Sequence, residues 1–531
     1  MLHLILGRAK SGKTAAVLEA IAGHVRRGEA PVVLIVPEQY SHEAERELLR
    51  VCGDGLSLCA EVLSFTRLYA RVEAELGFGG RRALDKGGRL LALARALTVT
   101  ETRLHGMAAA RRSAPMQTAL LEAIDELKMG GVAPAALERT AAALAAEGEP
   151  LAEKLRDLAL VCEAYDAVVA RSGLDPMDRL TVLAERIGES RLARGRIYID
   201  GFTDFTAQQN AVLAALLRAG AEVTVCLSCE GLQEGHEIFE PSRRAALKLQ
   251  KLARDADRDW DVTVRPPRGG AGPLELLERE LFAFGPVEAD AGGRVTLRCA
   301  ADLNAECEAA AQRCLELAQS GGCRWRDIAL CARDMERYCS TLEGAFARYG
   351  VPLYLARRSA LLSKPLPSLI TGAYACVCRG WDYEDVMAYC KTGLAGLSGP
   401  ECDTLEDFAF LWTLHGRAWS QDEDWALHPA GFGLDFTEED RAALRELNAL
   451  RRRAMAPLWL LRARGTAATT AAQQAAALAD YFEALALPEQ LERRATELED
   501  LGMAQEATEY ASRIGNIVTG AVILYCKAIG A

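Results

Sequence analysis

Leu2-His3-Leu4-Ile5-Leu6-Gly7-Arg8-Ala9-Lys10-Ser11-Gly12-Lys13-Thr14 follows Met1 and joins an apolar run to a glycine motif. Residues 2–6 are almost all apolar, as suits a strand buried on both faces of a parallel sheet. Gly7–Thr14 satisfies G-x-x-x-x-G-K-[ST] at every fixed position. The glycines allow a tight turn whose backbone N–H groups point inward at phosphate oxygens. The helix expected from Lys13 adds its positive end. In such a loop Lys13 reaches the β- and γ-phosphates and the Thr14 hydroxyl binds Mg²⁺. Gly7, Arg8, Ala9, Lys10, Ser11, Gly12, Lys13 and Thr14 are therefore the expected cradle for ATP with Mg²⁺. The plain alternative is a strand–helix turn carrying an exposed lysine.

After the motif a helix is predicted over Lys13–Arg27, a strand over Val32–Val36 closed by Pro37, and a Glu- and Arg-rich helix over Ser41–Val51. Strand, loop, helix and strand in this order begin a parallel α/β sheet. From Val72 to Arg194, Ala, Leu and Arg dominate and apolar residues recur at helical spacing. Leu120, Ile124 and Leu127 form one such set, and Leu155, Leu158 and Cys162 another. This stretch reads as a helical insertion. The α/β pattern resumes at Arg196-Ile197-Tyr198-Ile199-Asp200, with a further strand over Ala221–Leu227.

Asp200, at the end of an apolar strand, is the expected second holder of Mg²⁺, acting through water. Its bland alternative is a helix cap or turn aspartate. The next residue is Gly201, where ATPases of the helicase type place Glu to polarise the attacking water. Glycine has no side chain for that work, and Asp204 has the wrong spacing to replace it. Such a site is equipped to bind MgATP and poorly equipped to hydrolyse it.

Arg265-Pro266-Pro267-Arg268-Gly269-Gly270 reads as a linker. Beyond it a second α/β unit is predicted: strand Val295–Arg298, helix Ala305–Gln319, strand Ile328–Cys331 and a helix through Phe346. From about Thr371 the sequence turns helical again. The expected fold class is α/β, with two P-loop (RecA-like) parallel-sheet domains, each carrying a large helical insertion. The expected divisions are 1–71 and 195–285 for the first domain, 72–194 for its insertion, 290–370 for the start of the second, and 371–531 for its insertion. Because the sequence stops after Leu524-Tyr525-Cys526-Lys527 without a polar tail, that last region is expected to be truncated.

The chain has 531 residues, 26% of them charged, and a net charge of −12. No uninterrupted apolar run reaches the ~20 residues that a membrane span needs. The first residues lack the pattern of a signal peptide, so a cytoplasmic location is expected. The acidic balance excludes a small module that is basic all over, but not a large protein holding nucleic acid in one groove. The 16 cysteines are scattered. Cys226-x-x-Cys229 lies at a predicted strand end with no second pair to complete a metal site, and is read, like Cys376-x-Cys378, as buried thiol.

At Ile199-Asp200-Gly201-Phe202-Thr203-Asp204-Phe205-Thr206, with Gln209 following, the chain resembles the second motif of UvrD-type superfamily 1 helicases. Asp200, Phe202, Asp204 and Gln209 match, and the catalytic Glu and the first Gln are lost. A closer resemblance is to the AddB (RexB) family. It is carried by Ile35-Val36-Pro37-Glu38-Gln39, Val62-Leu63-Ser64-Phe65-Thr66-Arg67-Leu68, Tyr198–Phe205, Ala305–Ala309, Asp327–Leu330, Lys391-Thr392-Gly393-Leu394 and Leu405-Glu406-Asp407.

That resemblance implies a degenerate helicase fold in the non-motor subunit of a heterodimeric ATP-dependent helicase–deoxyribonuclease. It also implies an AddA-like motor and nuclease partner, single- and double-stranded DNA as substrate, double-strand-break repair by recombination, and recognition of Chi. Members carry a C-terminal nuclease domain with an iron–sulfur cluster. That region lies outside this sequence, so neither nuclease residues nor cluster ligands are expected here.

The resemblance also points to loops after the early strands as DNA holders, which makes Gln39, Tyr40, Ser64, Phe65 and Arg67 candidates. Phe65 reads first as core and only then as a stacking platform, and Arg67 reads equally as a solvated surface residue. Arg111-Arg112 and Arg451-Arg452-Arg453 are basic runs that read first as solvated helix faces. Arg333 holds a position where the family commonly has Arg. Two other function classes compete: a DNA- and partner-binding scaffold that binds ATP without hydrolysing it, and a P-loop kinase. The predicted second α/β unit argues against the kinase.

Overall fold

In the computed structural model the described residues are 1–510, apart from 30, 54–58, 79, 81–82, 108–112, 234, 268–271, 284, 286, 356–363 and 509. Arg111-Arg112, Arg268–Gly270 and Leu524–Lys527 thus lie outside them. Six strands form one sheet: β1 Leu2–Leu6, β2 Val32–Ile35, β3 Ala60–Leu63, β4 Arg196–Ile199, β5 Glu222–Leu227 and β6 Trp260–Val264. Their order is β3-β2-β4-β5-β1-β6 and every pairing is parallel. Leu6 stands beside both Leu227 and Val264, and Ile35 beside both Ile199 and Leu63. All the strands therefore end on one edge, which is where open parallel sheets bind ligands.

Side-chain alternation sorts the strand residues into two apolar layers. Leu2, Leu4, Leu6, Val33, Ile35, Ile197, Ile199, Val223 and Val225 pack on one side, with helices Ala207–Ala219 and Glu240–Asp255. Val32, Leu34, Val36, Tyr198 and Cys226 pack on the other, against α1 (Lys13–Arg26) and α2 (Ser41–Cys52). The strands β1, β2, β4 and β5 are readable from sequence because most of their residues are apolar and buried. Strand β6 is not among the predicted elements. It is an edge strand with Trp260 and Val264 exposed, so no apolar run betrays it.

The stretch between β3 and β4 is helical, as predicted, with helices including Lys86–Thr100, Ala114–Met129 and Leu151–Ser172. Leu120, Ile124 and Cys162 are buried in its own apolar cluster, with Leu127 and Leu158 packed against it.

The chain divides into two compact units. One comprises Met1–Gly270, Glu278–Phe284 and Met455–Ala531, and the other Ala271–Leu277 and Gly285–Ala454. In the second unit the two expected helices are present as Leu303–Gln319 and Met335–Arg348. The two expected strands are a correction: residues 295–298 and 328–331 form no ladder among the described residues. A β-strand is defined by its neighbours, and neither stretch has one to pair with. Leu297 is 94% exposed, and Ile328 only leans on the helix pair. From Pro365–Arg379 onward the described residues of this unit are mainly helical. No helix among the described residues is long and apolar enough to cross a membrane.

Candidate functional site

Strand β1 ends at Leu6 and α1 begins at Lys13, so the glycine motif spans the gap between them at the carboxyl edge of the sheet. Gly12 caps α1 with φ +83°, a left-handed conformation that glycine adopts without strain. No side chain caps this helix and its first turn holds no acidic residue. The free N–H groups and the positive helix end therefore stay available to an anion.

Lys13 is buried and folds back over the loop. Its Nζ donates to the carbonyls of Gly7 at 2.7 Å and Arg8 at 2.8 Å. Burial pulls its ammonium below the ordinary lysine value. Thr14 Oγ1 donates to Asp200 Oδ2 at 2.6 Å, across the sheet from the end of β4. The two residues expected to hold Mg²⁺ are thus in contact, and Asp200 is 8% exposed. This donor set suits the ion, since a hydroxyl and a carboxylate beside a phosphate cradle are hard oxygen ligands. Ser11 Oγ is buried with no hydrogen-bond partner.

Arg8 is held away from the cradle. Its Nη1 reaches Glu230 Oε1 and its Nε reaches Glu278 Oε1, both at 2.9 Å, and its guanidinium lies 5.4 Å from the Phe239 ring centre. The cradle's other residues, Ala9 and Lys10, form the exposed tip of the loop, where Lys10 has φ 57°.

Gly201 has φ +83°, and a Cβ added there would stand 3.1 Å from Pro37 Cδ. The glutamate missing from this position would be strained by the backbone as well as absent from the sequence. Asp204 is exposed and its Oδ1 accepts from the Phe205 N–H. Gln209 and Thr206 cap helix Ala207–Ala219 reciprocally, so the glutamine that matches the helicase pattern serves as a capping box here.

The five DNA candidates separate by exposure. Gln39 is exposed on the turn after β2, and Arg67 is half-exposed and ion-paired with Glu45 at 2.8 Å. Tyr40 is half-buried, with its hydroxyl donating to Glu47 and its ionisation pushed up to about 12, chiefly by burial. Ser64 is buried and caps helix Phe65–Leu76 through the Arg67 N–H. Phe65 is 5% exposed and packs edge-on against Phe202, leaving no free face for a base.

In the second unit Arg333 is exposed. The basic run there is not one solvated face. Arg451 is 1% exposed, donates to the carbonyls of Ala418, Gln421 and Glu423, and lies 5.0 Å from the Trp425 ring centre. Arg452 pairs with Asp422 and Asp424, and Arg453 with Glu401.

Cys226 and Cys229 are both buried, and burial pushes the Cys226 thiol up to about 12. No group of three or more His, Cys, Asp or Glu suited to a metal ion occurs among the described residues.

The family model described as "ADDB, N-terminal" matches residues 4–269. The chain is 36% identical to the B subunit of the ATP-dependent helicase/deoxyribonuclease of Desulforudis audaxviator, over 96% of this chain and 46% of that protein. It is 34% identical to the protein of the same name from Moorella thermoacetica, over 95% of this chain and 46% of that one. For the one from Acetivibrio thermocellus the identity is 30%, over 97% and 46%. The chain therefore spans about half the length of these relatives.

Proposed function

Because this chain belongs to the AddB family, we propose that it is the ATP-binding, helicase-like front part of the non-motor subunit of an ATP-dependent helicase–deoxyribonuclease. The proposed task of the whole assembly is to process DNA double-strand breaks for recombinational repair and to recognise Chi, with an AddA-like subunit as motor and partner. Single- and double-stranded DNA are the proposed substrates.

The observation that carries the nucleotide reading is the Thr14–Asp200 contact beside buried Lys13 at the carboxyl edge of the sheet. Residues from the ends of β1 and β4 meet there, and among the described residues no carboxylate is in hydrogen-bond reach of Lys13 Nζ. On binding, Lys13 would exchange its two carbonyl partners for phosphate oxygens, while loop N–H groups orient the polyphosphate. Thr14 would hold Mg²⁺ directly and Asp200 through water, and the ion would offset phosphate charge.

Gly201 favours the non-hydrolysing form of this reading, in which the bound nucleotide shapes a DNA- and partner-binding scaffold. The left-handed backbone there, with Pro37 Cδ 3.1 Å from where a Cβ would stand, would strain any residue that brought a base side chain to this position. The test is MgATP binding and turnover, with and without single-stranded DNA, in wild type and Lys13→Ala. Binding that depends on Lys13, without turnover, is expected. DNA-stimulated turnover that the substitution abolishes would make the chain a working motor and overturn the scaffold form. Absence of MgATP binding by wild type would overturn both.

A further inference from the structure

The cradle's charges do not stop at Lys13. Arg265 falls one residue beyond β6, and its N–H donates to the Leu6 carbonyl at 2.7 Å. The ladder between β6 and β1 therefore extends to the residue where the glycine motif leaves the sheet, and Arg265 is anchored there instead of lying in a free linker. Its side chain turns to the loop: a Cβ built on Gly12 would stand 3.4 Å from Arg265 Nη1. Arg265 Nε is buried with no hydrogen-bond partner, and among the described residues no carboxylate pairs with this guanidinium. Ser11 Oγ, in the same loop, is likewise buried and unpartnered.

Arg8 shows the opposite arrangement. It occupies the same loop and is neutralised by Glu230 and Glu278. An arginine that folding leaves half-buried without an acceptor costs free energy, and the cost is recovered when an anion arrives. Guanidinium also suits phosphate, since its planar N–H fork matches two oxygens.

We propose that Arg265 is a further phosphate-binding residue of this site, which together with Ser11 and Lys13 grips the polyphosphate of a nucleoside triphosphate. The inference rests on the nucleotide reading above and assigns the edge strand β6 a part in it. Arg265 brings charge from an edge of the site opposite to Asp200, so β1 and its loop are flanked by a carboxylate for the metal on one side and a guanidinium for phosphate on the other.

The experiment measures MgATP and MgADP affinity with a fluorescent nucleotide analogue, together with thermal melting, in wild type, Arg265→Ala, Arg265→Lys and Lys13→Ala. Arg265→Ala is expected to weaken MgATP binding by about 10- to 100-fold, the range of one charge-assisted contact. Arg265→Lys should recover part of the loss. Without nucleotide, Arg265→Ala should melt at or above the wild-type temperature, whereas an arginine that served only to hold the fold would lower it. Wild-type affinity in Arg265→Ala, with binding lost in Lys13→Ala, overturns this inference alone. If wild type binds neither nucleotide, the nucleotide reading fails and takes this inference with it. A melting temperature that falls in Arg265→Ala and stays low in Arg265→Lys, with affinity unchanged, assigns Arg265 to the fold and overturns the proposal.

Discussion

In the helical insertion, buried Arg89 and half-buried Lys128 sit among carboxylates; at the end of β1, Lys13 and Arg265 have no carboxylate beside them among the described residues. Arg89 meets Asp175 at 2.9 Å and also Asp125, while Lys128 meets Asp166, Asp175 and Asp178 at 2.9, 3.1 and 2.8 Å. Tyr165 adds a hydrogen bond of 2.9 Å to Asp175, which is fully buried. Helices Lys86–Thr100, Ala114–Met129 and Leu151–Ser172 are tied together by this one network. Lys13 has only carbonyl oxygens, and Arg265 has no acceptor among the described residues. The same residue types thus serve two ends. Where every charge is answered within the chain, the cluster is a strut. Where charge is left unanswered beside a ring of N–H groups, the cluster is prepared for an anion from outside.

The largest expected effect tests the strut. Asp175→Asn takes one carboxylate from buried Arg89 and from half-buried Lys128, which keep Asp125 and the pair Asp166 and Asp178, and should cost about 2–3 kcal/mol of stability, read by urea unfolding. Burial alone would raise the Asp175 carboxyl, but Lys128, the Met177 N–H and Arg89 together hold it below its ordinary value. A depressed folded value stabilises fully above the unfolded one of 3.8 and loses that stabilisation as pH falls through it. Wild type should therefore lose stability in acid below about pH 4, and Asp175→Asn should show a flatter profile there. A loss under about 1 kcal/mol would remove the distinction between the two clusters.

Glu230→Gln probes the one neutralised cation of the cradle. Arg8 keeps Glu278, so the expected loss is about 1 kcal/mol by the same measurement. Lys13→Met should change stability in water by less than about 1 kcal/mol in either direction. It surrenders two hydrogen bonds but also removes a charge that burial disfavours. A loss as large as that of Asp175→Asn would mark Lys13 as a strut after all. The smallest effect is expected from Arg67→Ala, under about 0.5 kcal/mol, because its pair with Glu45 is solvated. Its effect on single-stranded DNA affinity is then readable without a folding artefact.

Burial also explains which candidates could be ranked from sequence. Gln39 and Arg67 remain available at the surface, whereas Ser64 and Phe65 are occupied by a helix cap and the core. The motif Val62–Leu68 has an apolar pattern in either case, so no local signal separates a base-stacking ring from a packed one. Arg451 makes the same point: its neighbours Arg452 and Arg453 pair at the surface, while it sits over Trp425 inside.

What the sequence determined by itself was local or strongly periodic. Gly7–Thr14 announced its turn because each residue type is required by backbone geometry within a few positions. The strands β1, β2, β4 and β5 announced themselves because strands inside a covered parallel sheet are mostly apolar. The helical insertion showed its 3.6-residue period, and the loss of the glutamate was visible as Gly201. The tertiary structure alone decided what depends on distant neighbours. It made an edge strand of Trp260–Val264 and brought Arg265 to Gly12. It left residues 295–298 and 328–331 without a ladder among the described residues, although 328–331 is as apolar as β1. The reason is physical: a strand, an ion pair and an unpaired charge are each defined by a partner far away in the chain, and composition at one position carries no record of who that partner is.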